Sequence, residues 1–189
     1  MKKIIETARL KLIPCDKKIF EAVLIGDGAL SNLLSVHVPK GWTDVSDMSP
    51  FEFAYGVVKK HHSEVGWWTY LPILKSENLL IGSGGFKGKP DLDGAVEIGY
   101  EIYEPYRNKG FGTEMARGLV NHAFENKKVK KVLAYTLAFN NSSCRVLEKC
   151  GMLFTEQVYD IEDGDLWRWE VPFDKRETIQ SKIVDGYGL

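Results

Sequence analysis

The chain has 189 residues, of which 44% are hydrophobic and 27% are charged, and its formal net charge at pH 7 is −1. This length and composition predict one folded domain rather than a disordered chain, and the near-neutral charge argues against nucleic acid as a partner. No apolar run approaches the length of a membrane span, and charged residues interrupt the N-terminal segment where a signal peptide would be apolar, so we expect a cytoplasmic protein.

Alternating apolar residues and turn signals predict seven strands along the chain. Their ranges are 9–13, 67–74, 79–86, 96–103, 131–138, 155–159 and 166–171. The second and third strands are joined by a short polar loop and are expected to form a hairpin, and the last two flank a turn-forming EDGD sequence. The fifth is apolar on both faces, which predicts a central strand that is covered on both sides.

Two helices are predicted in the first third of the chain. Asp16 can cap a short helix that carries Phe20, Val23 and Leu24. The sequence SPFE at 49–52 combines the pattern of a capping box with proline at the first helical position.

The later helices are predicted from apolar spacing and from their end signals. Residues 113–125 place their apolar side chains in one stripe, which indicates an amphipathic helix. Another helix is expected to start near Asn140 or Asn141 and to stop at Gly151. The polar tail 172–189 has apolar residues at helical spacing and is expected to form a loosely docked helix.

A basic loop with two glycines, YRNKGFGTEM at 106–115, joins the fourth strand to the helix after it. Gly110 and Gly112 would let an anion approach the unpaired N–H groups of the first helical turn, and Arg107 and Lys109 add positive charge. On the loop alone, a plain turn with solvated basic residues explains the pattern equally well.

Two other phosphate-binding motifs fail on spacing. GSGGFKGKP has Ser83 where a P-loop needs glycine and Pro90 where it needs Ser or Thr, and a dinucleotide fingerprint would need glycine in place of Met115.

Three blocks of the sequence resemble the GNAT acetyltransferases, in the order expected for that family. IGYEIYEPYRNKGFGTEMARGLVNHAF is similar to the acetyl-CoA-binding core, whose signature [QR]xxGx[GA] is present as Arg107, Gly110 and Gly112. NNSSCRVLEKCGM resembles the second block of the family, and IETARLKLIPCD is similar to the first strand of the branch that acetylates ribosomal-protein N-termini.

The resemblance implies one N-acetyltransferase domain over residues 1–189, with a core at about 5–171 and a tail at 172–189. It implies an α/β (α+β) fold in which helices flank a mixed central sheet of about seven strands. The fourth and fifth strands, 96–103 and 131–138, are expected to splay apart so that acetyl-CoA enters between them.

The resemblance also implies which residues bind acetyl-CoA. Backbone groups of Tyr100, Glu101 and Ile102 are expected to bond the pantetheine arm. Asn140 matches an asparagine that contacts the cofactor in the family. The pyrophosphate is expected to be held by backbone amides from seven successive residues, Arg107, Asn108, Lys109, Gly110, Phe111, Gly112 and Thr113.

The chemistry needs a deprotonated amine, a stabilised carbonyl oxygen and a protonated leaving thiolate. Many family members protonate the thiolate with a tyrosine seven residues after the asparagine, where this chain has Leu147. We expect Ser143 to replace it, although a serine that bonds its own helical turn explains this residue almost as well. Glu97 and Glu101 are candidate bases, with Glu101 nearer the expected acetyl position; a solvated glutamate is an equal alternative for each.

The predicted activity is direct, acetyl-CoA-dependent acetylation of a primary amine, either a protein N-terminus or a small molecule. A noncatalytic acyl-CoA-binding sensor or interaction module is the alternative that the missing tyrosine leaves open. The acceptor groove is expected from residues 36–66 and 160–166. We expect no metal site, because the histidines and cysteines lack metal-ligand spacing, and a homodimer is compatible with the sequence without being indicated by it.

Overall fold

The computed structural model describes residues 3–44 and 48–175. Within these ranges the chain forms nine strands and five α-helices. In chain order they are β1 (Ile5–Glu6), β2 (Leu10–Pro14), α1 (Lys17–Ile25), α2 (Asp27–Leu34), α3 (Ser49–Lys60), β3 (Thr69–Leu74), β4 (Leu79–Leu80), β5 (Gly82–Phe86), β6 (Ala95–Ile102), α4 (Phe111–Ala123), β7 (Lys131–Leu137), α5 (Ser142–Lys149), β8 (Leu153–Asp160) and β9 (Gly164–Pro172).

The strands form one sheet in the order β1-β2-β3-β5-β6-β7-β9-β8, with β4 paired to β3 outside this path. All paired strands of the described residues are antiparallel except β6 and β7, which are parallel. The predicted mixed sheet with flanking helices is therefore confirmed. The seven longer strands correspond to the seven predicted ones; β4 lies inside the third predicted strand, and β1 has two residues, too few to give a periodic signal.

β6 and β7 splay apart after a short paired stretch. Their last paired residues are Glu97 and Leu133, whereas β6 continues to Ile102 and β7 to Leu137. Beyond Glu97, β6 remains paired with β5 alone among the described strands. The expected opening between the fourth and fifth predicted strands is thus present.

Helices pack on both faces of the sheet and create two separate cores. On one face, α4 and α5 cover inward-facing side chains of β6 such as Ile98 and Ile102. On the other face, α1, α2 and α3 cover β3 and β4 through a cluster that includes Phe20, Leu71 and Leu80. β6 therefore contributes to the first of these two cores only, and its other face is free to border a separate cavity.

The first predicted helix is confirmed in position, and Asp16 caps it by accepting a hydrogen bond from the Ile19 N–H. Leu24 is 42% exposed, so the buried side of this helix does not include it. α2 comes immediately after it, although the sequence predicts no helix there. Gly26 and Gly28 stand at its start, where glycine is a poor helix former, and Leu30 is its buried residue.

The second predicted helix is present, but its start differs from the prediction. The N-cap is Met48, so Ser49 is already helical and SPFE does not form the expected capping box. The predicted strand 79–86 is interrupted and becomes β4 and β5.

Two later predictions also need correction, and one falls outside the described residues. α4 begins at Phe111 rather than at residue 113. β7 is buried on one face only, because Val132 and Ala134 are buried while Leu137 is 48% exposed. The predicted helix of the tail lies beyond residue 175, outside the described part of the chain.

Candidate active site

The loop between β6 and α4 turns through two residues with left-handed backbone conformations. Asn108 has φ 62° and Gly110, the N-cap of α4, has φ 81°. The N–H groups of Phe111, Gly112 and Thr113 have no acceptor within α4, because a first helical turn has no preceding carbonyls. Together with the helix dipole they make this end of α4 attractive to an anion.

A cleft of about 590 Å³ extends from β6 along this loop to α5. It brings together nine of the residues predicted from the sequence, namely Tyr100, Glu101, Ile102, Arg107, Asn108, Gly110, Gly112, Thr113 and Ser143. The cleft therefore joins the predicted cofactor loop to the predicted acid across the gap between β6 and β7.

Three predicted cofactor residues are not among those that line the cleft. The Lys109 ammonium lies 5.1 Å from the ring centre of Tyr106, and the Phe111 side chain is buried in the core. Asn140 is exposed and stands just before the N-cap of α5. Their contacts with a cofactor stay predictions.

Two basic side chains that were not predicted from the sequence lie on the opposite wall of the cleft. Arg145 and Lys149 are one turn apart on α5, and both line the cleft. With Arg107 they give it three positive side chains. Arg145 and Lys149 are four residues apart in the helix of the second family block, and this spacing could have predicted that both lie on one face of that helix.

Backbone hydrogen bonds show which edge of β6 is open. The Tyr103 N–H donates to Ile81 O and the Glu97 O accepts from Lys87 N–H, so odd-numbered residues direct their backbone groups toward β5. Even-numbered residues direct theirs toward the gap in an alternating strand. The backbone groups of Tyr100 and Ile102 thus lie on the open edge, whereas those of Glu101 face β5.

The Glu101 carboxylate and the Arg107 guanidinium form an ion pair at the mouth of the cleft. The Arg107 Nη2 donates to Glu101 Oε1 at 3.1 Å, and the Arg107 Nε donates to Ile102 O at 2.7 Å. Glu101 is 73% exposed, so solvent screens the pair and a ligand can displace it. Glu97, the other candidate base, instead pairs with Lys87. It lines neither this cleft nor a second cleft on the other face of β6.

Ser143 lies in the first turn of α5, where Asn141 fixes the backbone. The Asn141 Oδ1 accepts from the N–H groups of Ser143 and Cys144 at 2.9 and 3.2 Å, which makes Asn141 the N-cap. The Cys144 side chain is 3% exposed and packs rather than facing the cleft.

The Tyr100 side chain is a neighbour of Ser143 that the sequence did not reveal. Its hydroxyl is buried and makes no well-aligned hydrogen bond to any described residue. Burial raises the pKa of Tyr100 strongly, and a hydrogen-bonding interaction with Ser143 lowers this pKa by a smaller amount. Tyr100 is therefore a neutral phenol positioned behind Ser143.

A second cleft of about 420 Å³ lies on the other face of β6. Its far wall is apolar and includes Trp42, Met48 and Phe51, with the Trp42 and Phe51 rings packed edge to face at 5.9 Å. Of the predicted groove segments, 36–66 contributes to this lining and 160–166 does not. Glu101 and Arg107 both line the two clefts, which therefore meet at this ion pair.

Residues 3–44 and 48–175 contain no group of three or more His, Cys, Asp or Glu side chains that could hold a metal ion. None of the helices formed there is both long and apolar enough to span a membrane.

Comparisons with known proteins identify relatives over most of the chain. The Acetyltransferase (GNAT) domain profile matches residues 35–153. The uncharacterized N-acetyltransferase YjdG of Bacillus subtilis is 25% identical over 154 residues, which cover 82% of this chain and 92% of YjdG.

Solved structures show the same fold at lower identity. RimL, a ribosomal alpha-N-protein acetyltransferase in complex with coenzyme A, superimposes with a TM-score of 0.66 at 17% identity, over 91% of this chain and 99% of RimL. A mutant form of the spermidine/spermine N-acetyltransferase SpeG of Vibrio cholerae gives a TM-score of 0.65 at 15% identity, over 92% of this chain and 99% of SpeG.

Proposed function

The chain belongs to the GNAT acetyltransferase family, and on this premise we propose that it transfers an acetyl group directly from acetyl-CoA to a primary amine. One observation carries the proposal: two clefts on opposite faces of β6 meet at the ion pair of Glu101 and Arg107. A donor held along α4 and α5 and an amine held against α1 and α3 would therefore reach each other without a covalent enzyme intermediate.

The residues of the first cleft fit the chemistry of acetyl-CoA. First-turn N–H groups of Gly112 and Thr113 and three basic side chains suit its phosphates. The backbone groups of Tyr100 and the N–H of Ile102 suit the amides of the pantetheine arm, whereas Ile102 O already accepts from Arg107. The bound donor supplies an activated thioester, and the protein supplies orientation and charge.

Glu101 and Ser143 take the two proton-handling roles in this proposal. Glu101 is exposed at the junction of the clefts, where it attracts an ammonium group and accepts its proton directly or through water. Ser143, which lines the donor cleft, donates a proton to the departing thiolate and regains one from solvent. The Tyr100 N–H on the open edge can stabilise the developing oxyanion.

The acceptor cleft favours an amine that carries an apolar group. Glu101 and Glu104 can attract the ammonium end, while Trp42, Met48 and Phe51 offer an apolar wall to the group attached to it. A peptide N-terminus with an apolar first side chain and a small arylalkylamine both match this pattern. The similar proteins RimL and SpeG act on a ribosomal protein N-terminus and on spermidine and spermine, so both kinds of acceptor belong in the test.

Release of free CoA thiol, measured with a thiol-reactive dye, tests the proposal. Acetyl-CoA is offered together with phenethylamine, spermidine, or short peptides that begin with methionine or serine. We expect release that depends on the amine and is faster with phenethylamine or the methionine peptide. CoA binding without release for any amine would contradict catalysis and favour the acyl-CoA sensor, for which Leu147 in place of the family tyrosine is the supporting feature.

A further inference from the structure

The N-terminal strand sequence ETARL, which the proposed mechanism does not use, contacts α4 through one carboxylate. Glu114 Oε1 accepts from the Thr7 hydroxyl and the Arg9 N–H, each at 2.6 Å, and Glu114 Oε2 accepts from Arg9 Nε at 2.7 Å. The Glu114 side chain is only 14% exposed. Three donors thus converge on a largely buried carboxylate in the first turns of α4.

The same arginine also contacts the glycine loop. Arg9 Nη1 donates to Lys109 O at 3.0 Å, and its guanidinium carbon lies 4.4 Å above the centre of the Phe111 ring. A side chain at Gly110 would bring its Cβ within 3.4 Å of Arg9 Nη2. Arg9 therefore touches the loop on both sides of Gly110, the residue whose left-handed conformation starts α4.

Arg9 and Glu114 are not among the described residues that line the cofactor cleft. Any effect that they have on a ligand in that cleft is therefore indirect and acts through the backbone conformation of the loop. Glu114 is also an unfavourable charge to keep near a phosphate site, so a role in holding Arg9 explains its presence better than a role in binding.

We propose that Thr7, Arg9 and Glu114 form a clamp that holds the loop 108–112 in its anion-binding conformation. They are positioning residues, and the inference rests on the proposed function because the anion is taken to be the pyrophosphate of acetyl-CoA. The N–H groups in the first turn of α4 can bind an anion only while the turn at Asn108 and Gly110 keeps its left-handed conformation. Arg9 binds the Lys109 carbonyl, which lies between these two residues.

The sign of one charge change separates this clamp from simple electrostatics. Glu114→Gln removes a negative charge near an anion site, which by Coulomb's law alone would tighten CoA binding. The clamp requires the opposite, because the glutamine amide would replace the acceptor Oε2 with an NH2 donor that faces Arg9 Nε, and would remove the charge that strengthens the remaining hydrogen bonds. We expect the Kd for CoA to rise about ten-fold in Glu114→Gln and in Arg9→Gln, the scale of one lost charge-assisted hydrogen bond.

Calorimetric titration with CoA, well below the melting temperature of each variant, measures these constants. Glu125→Gln is the matched control, because it makes the same charge change just beyond the other end of α4, where Glu125 pairs with Lys3. Its Kd should equal that of the wild type. The double variant Arg9→Gln/Glu114→Gln should be no weaker than the worse single variant, since both break one unit.

Each outcome decides the matter. Unchanged or tighter CoA binding in Glu114→Gln overturns the clamp while leaving the proposed function intact, whereas a wild type that fails to bind CoA overturns both. If the charged variants lose their folded state, Thr7→Val keeps the ion pair and removes the hydroxyl's bond to Glu114, together with its two hydrogen bonds to the backbone of Leu10. It should still raise the Kd for CoA when measured well below its own melting temperature, and an unchanged Kd would contradict the clamp.

Discussion

Gly112 allows the cofactor site to be perturbed without disturbing the fold. A methyl group at this position would lie 3.7 Å from Ile102 Cγ1 and Val146 Cγ2 and 3.8 Å from Tyr100 Cε2, which are ordinary contacts. Alanine is also the better helix former by about 1 kcal/mol in a helix interior, and somewhat less is gained in a first turn. Gly112→Ala should therefore fold at least as well as the wild type.

The same methyl group would enter the space that the cofactor needs. Its three neighbours all line the cleft between β6 and α5, so the added atoms lie inside that cleft. Losing one charge-assisted hydrogen bond costs about 1.5–3 kcal/mol, which weakens binding by about ten- to 150-fold. We expect Gly112→Ala near the lower end of this range for CoA and Gly112→Val near or beyond the upper end.

Gly110→Ala is the matched comparison, because its effect should fall on the fold. Gly110 has φ 81°, a conformation that costs a residue with a side chain about 1–2 kcal/mol. For a chain of this size each kcal/mol lowers the melting temperature by about 2–4 °C. The melting temperature should therefore be lower than that of the wild type in Gly110→Ala and should not be lowered in Gly112→Ala.

Two assays separate these effects: thermal unfolding of the unliganded variants and calorimetric titration with CoA. Wild-type CoA affinity in folded Gly112→Val would refute the reasoning, because the phosphates would then have to bind elsewhere. A lowered melting temperature in Gly112→Ala would show that the cleft is needed for packing.

Further substitutions probe the rest of the site. Ser143→Ala should lower kcat about 10²-fold with little change in the KM for acetyl-CoA, as loss of a positioned proton donor would; wild-type turnover would remove Ser143 as the acid. Glu101→Gln should slow the reaction across the range where the amine must lose its proton, or raise the KM for a cationic amine if its role is only attraction, and an unchanged rate and KM would exclude both roles. Arg145→Gln/Lys149→Gln should weaken CoA binding and flatten its salt dependence, whereas an unchanged salt dependence would place the phosphates away from α5. Burial lowers the pKa of His122, so the stability that neutral His122 provides is present above its ordinary pKa and is lost as the pH falls through the depressed value. Between pH 7 and about 5, the free energy of unfolding measured by chemical denaturation should therefore decline less in His122→Gln than in the wild type. An equal decline in the two proteins would assign the loss of stability to other groups.

Local signals in the sequence were sufficient for much of the fold. The alternation in β6 and the apolar stripe of α4 each depend on neighbours along the chain, and both elements are present. The glycine loop was also located, because the left-handed turn at Gly110 needs the residue type that the sequence shows there. Asn141 at the N-cap of α5 is a similar local feature.

The features that were missed depend on contacts between distant segments. Arg9 and Glu114 are 105 residues apart, and no local pattern links them. For Tyr100 the sequence predicted a backbone role only, because the closeness of its side chain to Ser143 depends on where α5 packs. β7 was predicted to be buried on both faces because both faces carry apolar side chains, but only one face is buried. Which face of a strand is covered depends on where the helices pack, and the sequence of the strand does not show this.

The central claim is that donor and amine meet at the junction of two clefts and react directly. Mass spectrometry of the amine and of the protein, taken together with the amount of CoA thiol released in the same reaction, tests this most directly. The account predicts one acetylated amine for each thiol released and no acetylated form of the protein during turnover. CoA bound without any acetylated amine, or an acetyl group accumulating on the protein, would contradict it.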